Sequence, residues 1–286
     1  MDVGVFQILP NMAADPRVVA QRAEELGFES YWVPEHPVLP MEYEANYPGV
    51  APDAPPPEYL WQMPDPFITL AHVAETTTTI KLGTAVCLVP EHDPFNLAKE
   101  IATLDLFSGG RFLFGIGAGW NKEECEIFGG DFEHRWTQVK EAISIVKRLW
   151  TDDVVEHHGK YYDFPAVRSY PKPAQNPHPP VILGAIGSKR VFKRVVEWGD
   201  GWMPAGYPPD VVAEGISAIR QYAVEAGRDM ATIDITVFAG PGLYTTRDQH
   251  NQVAQVGANR TVVWLAEGDL AATLKQLEGY ARELLA

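Results

Sequence analysis

The stretch Ile80-Lys81-Leu82-Gly83-Thr84-Ala85-Val86 is a short β-rich run, and Arg111-Phe112-Leu113-Phe114-Gly115-Ile116 is another. Between them a helix is expected from about Leu97 to Phe107. Strand, helix, strand in that order is the repeating unit of α/β folds. Upstream, Val3 to Ile8 reads as a buried strand ended by Pro10. Val18, Val19, Ala23 and Leu26 follow at helical spacing, with Gly27 as a helix-ending glycine. Ser30 to Val33 is a further strand. Downstream, strands are expected at Val181–Gly184, Gly201–Met203, Ile233–Phe238 and Thr261–Leu265. Helices are expected around Val191–Val196 and from Leu270 to Leu284. Eight strands, most followed by a helix, is the count of a (β/α)8 TIM barrel, spanning residues 1–286 as one domain.

Two connections exceed a minimal barrel. The 46 residues after strand two begin with a Pro-, Tyr- and Glu-rich loop from Tyr43 to Tyr59, including Pro48, Pro52 and Pro55-Pro56-Pro57. The 64 residues after strand four have room for a short helix, a long helix with Val139, Ala142, Ile143, Val146, Leu149 and Trp150 on one face, and a hairpin turning at Gly159-Lys160. Such insertions are commonly binding loops or lids, and loops after barrel strands gather at the mouth where chemistry resides.

Composition narrows the function. The 286 residues carry a net charge of −15, which argues against nucleic-acid or anionic-membrane partners. Two cysteines form no disulfide framework, there is no signal-peptide pattern, and no apolar run is long enough to span a bilayer, so a cytoplasmic enzyme with a small-molecule substrate is expected.

The strand C-termini carry the candidate site residues. Glu35-His36 follows strand two, and a histidine there suits proton transfer or stabilisation of a developing anion. Gly184-Ala185-Ile186-Gly187-Ser188 ends strand five in small residues, with Ser188 placed to cap a helix, which makes either an ordinary strand-to-helix turn or a site whose free N–H groups bind phosphate. Lys189, Arg190, Lys193 and Arg194 follow, a basic cluster in an acidic chain that suits a polyanionic cofactor or simply a solvated helix face. Gly115-Ile116-Gly117-Ala118-Gly119 is not a dinucleotide fingerprint, because it follows the fourth strand and has no acidic strand end 20 residues on. Those glycines suit close packing of a flat aromatic ring or of a substrate against bare backbone. No metal-ligand spacing, serine nucleophile elbow or Walker loop appears, so an organic cofactor is the natural source of chemistry.

Leu82 to Val86 with Pro90, Asp93-Pro94, Leu97-Ala98-Lys99-Glu100, Leu104-Asp105, Ser108 to Phe112, Gly115 to Asn121 and Glu123-Glu124 together resemble the bacterial luciferase-like monooxygenase family. Gly199-Asp200-Gly201-Trp202 also matches. The segment from Pro34-Glu35-His36 to Trp61-Gln62-Met63-Pro64-Asp65-Pro66 is similar to the branch that uses the deazaflavin coenzyme F420. The resemblance implies a non-prolyl cis peptide at Ala85–Val86 beneath the cofactor ring, with Gly117 and Trp120 nearby. It implies a phosphate loop at Gly184, Ala185, Ile186, Gly187 and Ser188, and a reactive centre beside His36 and Glu35. Family members commonly form homodimers through barrel helices.

Departures limit the transfer. Pro40 stands where the deazaflavin dehydrogenases of that branch have tryptophan, and Trp120 where they have a glutamate acid. Gly117 and Ala118 replace the cysteine and arginine of the luciferase α chain. The expectation is hydride transfer between coenzyme F420 and a small organic substrate. Two alternatives stand beside it: a reduced-FMN monooxygenase using O2, and a non-catalytic cofactor-binding protein.

Overall fold

A computed structural model describes residues 1–45, 47–48, 54–240 and 242–286, so Pro52 of the proline-rich loop lies outside the described residues. In chain order the elements are β1 (Asp2–Gln7), α1 (Pro16–Leu26), β2 (Ser30–Val33), α2 (Pro66–Ala74), β3 (Lys81–Thr84), β4 (Cys87–Leu88) and α3 (Pro94–Ser108). Next come β5 (Phe112–Gly117), α4 (Lys122–Ile127), α5 (Arg135–Thr151), β6 (Val155–His158), β7 (Asp163–Val167), β8 (Val181–Gly184) and α6 (Lys189–Glu197). The chain closes with β9 (Gly201–Met203), α7 (Pro209–Ala226), β10 (Asp234–Phe238), α8 (Arg247–Val256), β11 (Arg260–Leu265) and α9 (Leu270–Leu284).

Helix starts follow local chemistry. Asp15, Asp65 and Asp93 each cap a helix whose first residue is proline, where a missing N–H costs nothing. Gly27, Gly109, Gly227 and Gly257 end helices in the left-handed region.

The strands close into a parallel barrel. β1 sits between β2 (Val5 opposite Tyr31) and β11 (Val5 opposite Val263), and β3 meets β5 (Leu82 opposite Phe112) to seal the cylinder. The expected strand Ile80–Val86 stops short: β3 ends at Thr84, the Ala85–Val86 peptide is cis, and β4, beyond the expected run, resumes the pairing with β5 at Cys87 opposite Ile116. The hairpin β6–β7 stands outside the barrel, where His157 stacks on Phe164 at 5.9 Å. Helices α2, α7 and α8 fill connections to which the sequence reading gave no helix. α2 escaped because apolar residues ring it, Phe67 and Leu70 being buried while Ile68 is exposed.

Inside the barrel Phe6, Ile8, Trp32, Leu113, Ile182, Met203, Phe238 and Val262 form their own cluster. Trp32 is fully buried, and a Cβ on Gly83 would fall 2.1 Å from its ring, so glycine is required beside it. The floor, at the strand N-termini, is ionic. Arg260 is buried and binds Glu29 at 2.6 and 2.9 Å, with Asp234 at 3.3 Å and the Thr236 hydroxyl at 2.7 Å. Lys81 adds a second cation to Glu29 at 2.7 Å. Among the described residues no helix is long and apolar enough to cross a membrane.

Candidate functional site

Two cavities open at the C-terminal ends of the strands. The smaller, about 360 Å³, lies over the barrel axis between Ala85–Val86 and Phe6, Phe238 and Trp264, with His36 and Glu35 in its wall. The larger, about 700 Å³, runs outward past Gly117 to the loop after β8 and the start of α6. Pro48, Val86, Leu88 and Trp120 line both, so the two form one bent channel. Val86 is the shared wall. A Cβ on Gly117 would lie 2.5 Å from Val86 Cγ2 and one on Gly184 2.4 Å from its Cγ1, so bare backbone on both flanks seats this side chain. Gly115 likewise faces Thr84 O, at 2.0 Å from a would-be Cβ. Much of the glycine freedom that the sequence assigned to a bound ring is therefore used by the chain itself.

His36 leaves β2 through Pro34 and is held at both ring nitrogens. Nδ1 lies 2.8 and 3.0 Å from the two carboxylate oxygens of Glu124, whose side chain is fully buried. Trp120 Nε1 is 3.1 Å from His36 Nε2. An indole N–H only donates, so Nε2 accepts, and the ring proton is assigned to Nδ1, donating to Glu124. His36 thus keeps a lone pair on Nε2, with a carboxylate behind it to compensate an imidazolium. That is the arrangement of a general base oriented by an acid. Tyr43 and Tyr47 pack edge-on against Trp120 at 5.5 and 5.4 Å, so an aromatic cover lies over this nitrogen.

Glu35 stands at the same strand end, but its carboxylate is engaged in the wall. Oε2 accepts from Leu88 N at 2.6 Å, and Oε1 pairs with His92 Nε2 at 2.9 Å. Burial pulls the His92 imidazole down, while the hydrogen bond and charge of Glu35 raise it above its ordinary value. Cys87 is fully buried, lines neither cavity, and is pushed up by desolvation and by Glu35. Donor atoms of Glu35, Cys87 and His92 lie within 4.8 Å of one another, a cluster that sequence spacing did not reveal. Both Glu35 oxygens already accept hydrogen bonds there.

Beside these pairs lies Glu91, 7% exposed, with Oε2 lacking a hydrogen-bond partner among the described residues. Burial, then the charges of Glu124 and Glu35, push it up to about 9, so it is a neutral acid at pH 7.

The outer end of the channel is cationic. Ser188 caps α6, its Oγ accepting from Val191 N at 3.3 Å, and Trp202 Nε1 fixes the preceding turn through Ala185 O at 3.1 Å. The first N–H groups of α6 have no partner within the helix, which suits an anion. Arg190 and Arg194 line this end, and burial followed by repulsion from Arg190 lowers Arg194 below its ordinary value. An anion at this end would oppose the lowering of Arg194. The other half of the basic cluster points elsewhere: Lys193 lies over the Tyr222 ring at 5.4 Å, and Lys189 lines neither cavity. Arg135 is spent on the wall, bonding Gly119 O and Phe132 O.

Of the expected site residues, His36, Glu35, Ala85, Val86 and Trp120 line the inner cavity. Gly117, Gly184, Ala185, Ile186 and Ser188 line the outer one, and Gly187 lies in the same loop without lining it. Sequence reasoning missed Glu124 as a partner of His36. Its only local signal was its place three residues into α4 after the cap Asn121, which reads as a capping glutamate reaching back to the helix start. Here that carboxylate turns across the mouth to His36.

The family model for luciferase-like monooxygenases matches residues 10–284. An uncharacterised protein of Mycobacterium tuberculosis is 35% identical over 230 residues, 80% of each chain. An F420-dependent glucose-6-phosphate dehydrogenase of Amycolatopsis mediterranei is 32% identical over 225 residues, 76% of this chain and 62% of that one. The crystal structure of the monooxygenase RslO1 from Streptomyces bottropensis superimposes with a TM-score of 0.78 at 20% identity, over 100% of this chain and 99% of that one.

Proposed function

The chain belongs to the luciferase-like monooxygenase family, and from that premise we propose that it is an oxidoreductase moving a hydride between coenzyme F420 and a small organic substrate. One observation carries the reading: a single channel that is apolar with one basic nitrogen at its inner end and cationic at its outer end. Such a channel fits a cofactor with a flat ring and a long anionic tail. The F420-dependent relative supports the deazaflavin over other ring cofactors, and Arg190 and Arg194 beyond the Ser188 cap give charge past what one phosphate needs.

A bound deazaflavin supplies two-electron redox chemistry at its ring. The chain's own groups do the rest. Val86, seated by Gly117 and Gly184, would form the wall beside the ring, and Ser188, the α6 N-terminus, Arg190 and Arg194 would hold the anionic end. His36 Nε2 takes a proton from the substrate oxygen or returns one, and Glu124 keeps the ring turned so that Nε2 faces the cavity. Trp120, Tyr43 and Tyr47 exclude water above it. Ile68 of α2 and Leu106 and Phe107 of α3 stand exposed on adjacent helices and fit a homodimer, which light scattering checks.

The test is titration of purified cofactor-free protein with F420 and, separately, FMN, following cofactor fluorescence. Preferential F420 binding is expected. Preference for FMN overturns the reading in favour of an oxygen-using monooxygenase.

A further inference from the structure

Glu35, Cys87 and His92 come from three places that the fold brings together: the turn after β2, the start of β4 and the turn into α3. One Glu35 oxygen, the Cys87 sulfur and one His92 nitrogen lie within 4.8 Å of one another, the one such group of donors among the described residues. Cys87 and His92 line neither cavity, so the group stands behind the channel wall and not at the reacting centre. Its donor set is that of a thiophilic divalent cation. Sulfur and imidazole select zinc-type ions over magnesium or calcium, and one thiolate with one carboxylate matches a double positive charge.

The surroundings suit such an ion. Glu35 Oε1 faces His92 Nε2 at 2.9 Å, and Oε2 accepts from Leu88 N at 2.6 Å. The Leu88 bond can stay when Oε1 takes a metal, and it then orients the carboxylate from outside. Glu91 is next in the chain to His92, and its charge reaches the Cys87 thiol. Its Oε2 is buried and unpartnered among the described residues, which leaves a partner for a water in the fourth position. His92 is the outer edge, its side chain 17% exposed, and Asp65 and Glu100 add negative charge there that draws a cation inward.

We propose that Glu35 Oε1, Cys87 Sγ and His92 Nε2 bind one divalent cation of the zinc class, which clamps the ends of β2 and β4 to the start of α3. On binding, the Cys87 thiol proton leaves to solvent. His92 Nε2 gives up the proton it shares with Glu35 and ligates as the neutral ring. His92 Nε2 and Glu35 Oε1 must part from 2.9 Å to about 3.4 Å, the separation of two light donors around a tetrahedral zinc. Whichever cofactor fills the channel, the clamp lies outside it.

The test is a Co2+ titration of the full chain, freed of metal by chelator and kept reduced, following the thiolate-to-cobalt charge-transfer band in the near ultraviolet. A band that saturates at one equivalent per chain and is bleached by Zn2+ is expected. Cys87 and Cys125 are the chain's two cysteines, so the band's owner can be named. Cys87→Ser should abolish it, Cys125→Ser should leave it, and His92→Gln should weaken Co2+ binding by about tenfold or more. Absence of a saturable band in the wild type, a band that survives Cys87→Ser, or unchanged affinity in His92→Gln overturns the proposal. Where Cys87→Ser does not fold, the Cys125→Ser titration decides, and loss of the band there overturns it.

Discussion

Glu29 and Glu91 are glutamates drawn from water at opposite ends of one barrel, and their surroundings drive them apart. At the floor, burial opposes ionisation of Glu29, but Arg260 and Lys81 outweigh it and hold the group at about 2. At the mouth, burial acts on Glu91 with no cation to answer it, and two neighbouring carboxylates push it up to about 9. The floor closes its charges on themselves and stabilises the fold. The mouth keeps polar capacity unspent, as functional sites do. The comparison teaches that burial alone does not set a role here; the neighbouring cations do.

The largest effect expected is at the mouth, on rate. His36→Asn should lower turnover by about 10²–10⁴-fold, since it removes proton transfer at Nε2. Its melting temperature should fall less than that of the floor variant below. A variant that loses stability in step with activity would erase the distinction between the two ends. At the floor, Arg260→Leu should cost about 3–5 kcal/mol in denaturant unfolding, because Glu29 and Asp234 are left without their buried cation. Cofactor affinity of the folded fraction should stay unchanged.

The pH dependence sharpens the contrast further. Glu29, depressed from an ordinary 4.5 to about 2, contributes stability present above pH 4.5 and lost as pH falls toward 2. Glu91, raised from the same 4.5 to about 9, binds its proton more tightly folded than unfolded. Stability therefore declines as pH rises from about 4.5 to 9 on its account. Glu91→Gln should flatten that alkaline decline in thermal melts and leave the acid limb in place. An unaltered alkaline limb would show that Glu91 is not the group responsible. The smallest effect is expected at the channel's outer end. Arg190→Gln with Arg194→Gln should weaken F420 binding several-fold, more at low salt than at high, and FMN binding less. Equal loss for both cofactors would remove the charge argument for the deazaflavin.

Both ends were partly written in the chain. Strand runs such as Val181–Gly184 and Ile233–Phe238, and the capped start of α6 at Ser188, depend on neighbours in sequence and could be read there. So could the placing of His36 at a strand end. What could not be read depends on distant residues meeting. His36 and Glu124 are 88 positions apart, and Arg260 and Glu29 are 231 apart. Neither pairing leaves a periodicity. The basic run from Lys189 to Arg194 was visible as composition, but only helix rotation decides that its arginines face the channel and Lys193 does not. The cis peptide at Ala85–Val86 is expected only through family likeness, because nothing in those two residues announces it, and the strand break it brings was not read from the chain.

Trp120 walls both cavities and also holds His36 through its indole N–H. The two arms of the channel therefore share this wall residue, and a ligand that displaces its indole links their occupancies. A cofactor that shifts the indole changes the inner cavity's affinity for its ligand by some factor. By reciprocity the inner ligand changes cofactor affinity by that same factor. Order of addition then leaves the final complex unchanged, and binding isotherms for one ligand, taken at rising concentrations of the other, measure a single coupling constant that a Trp120→Phe variant should alter in both directions alike.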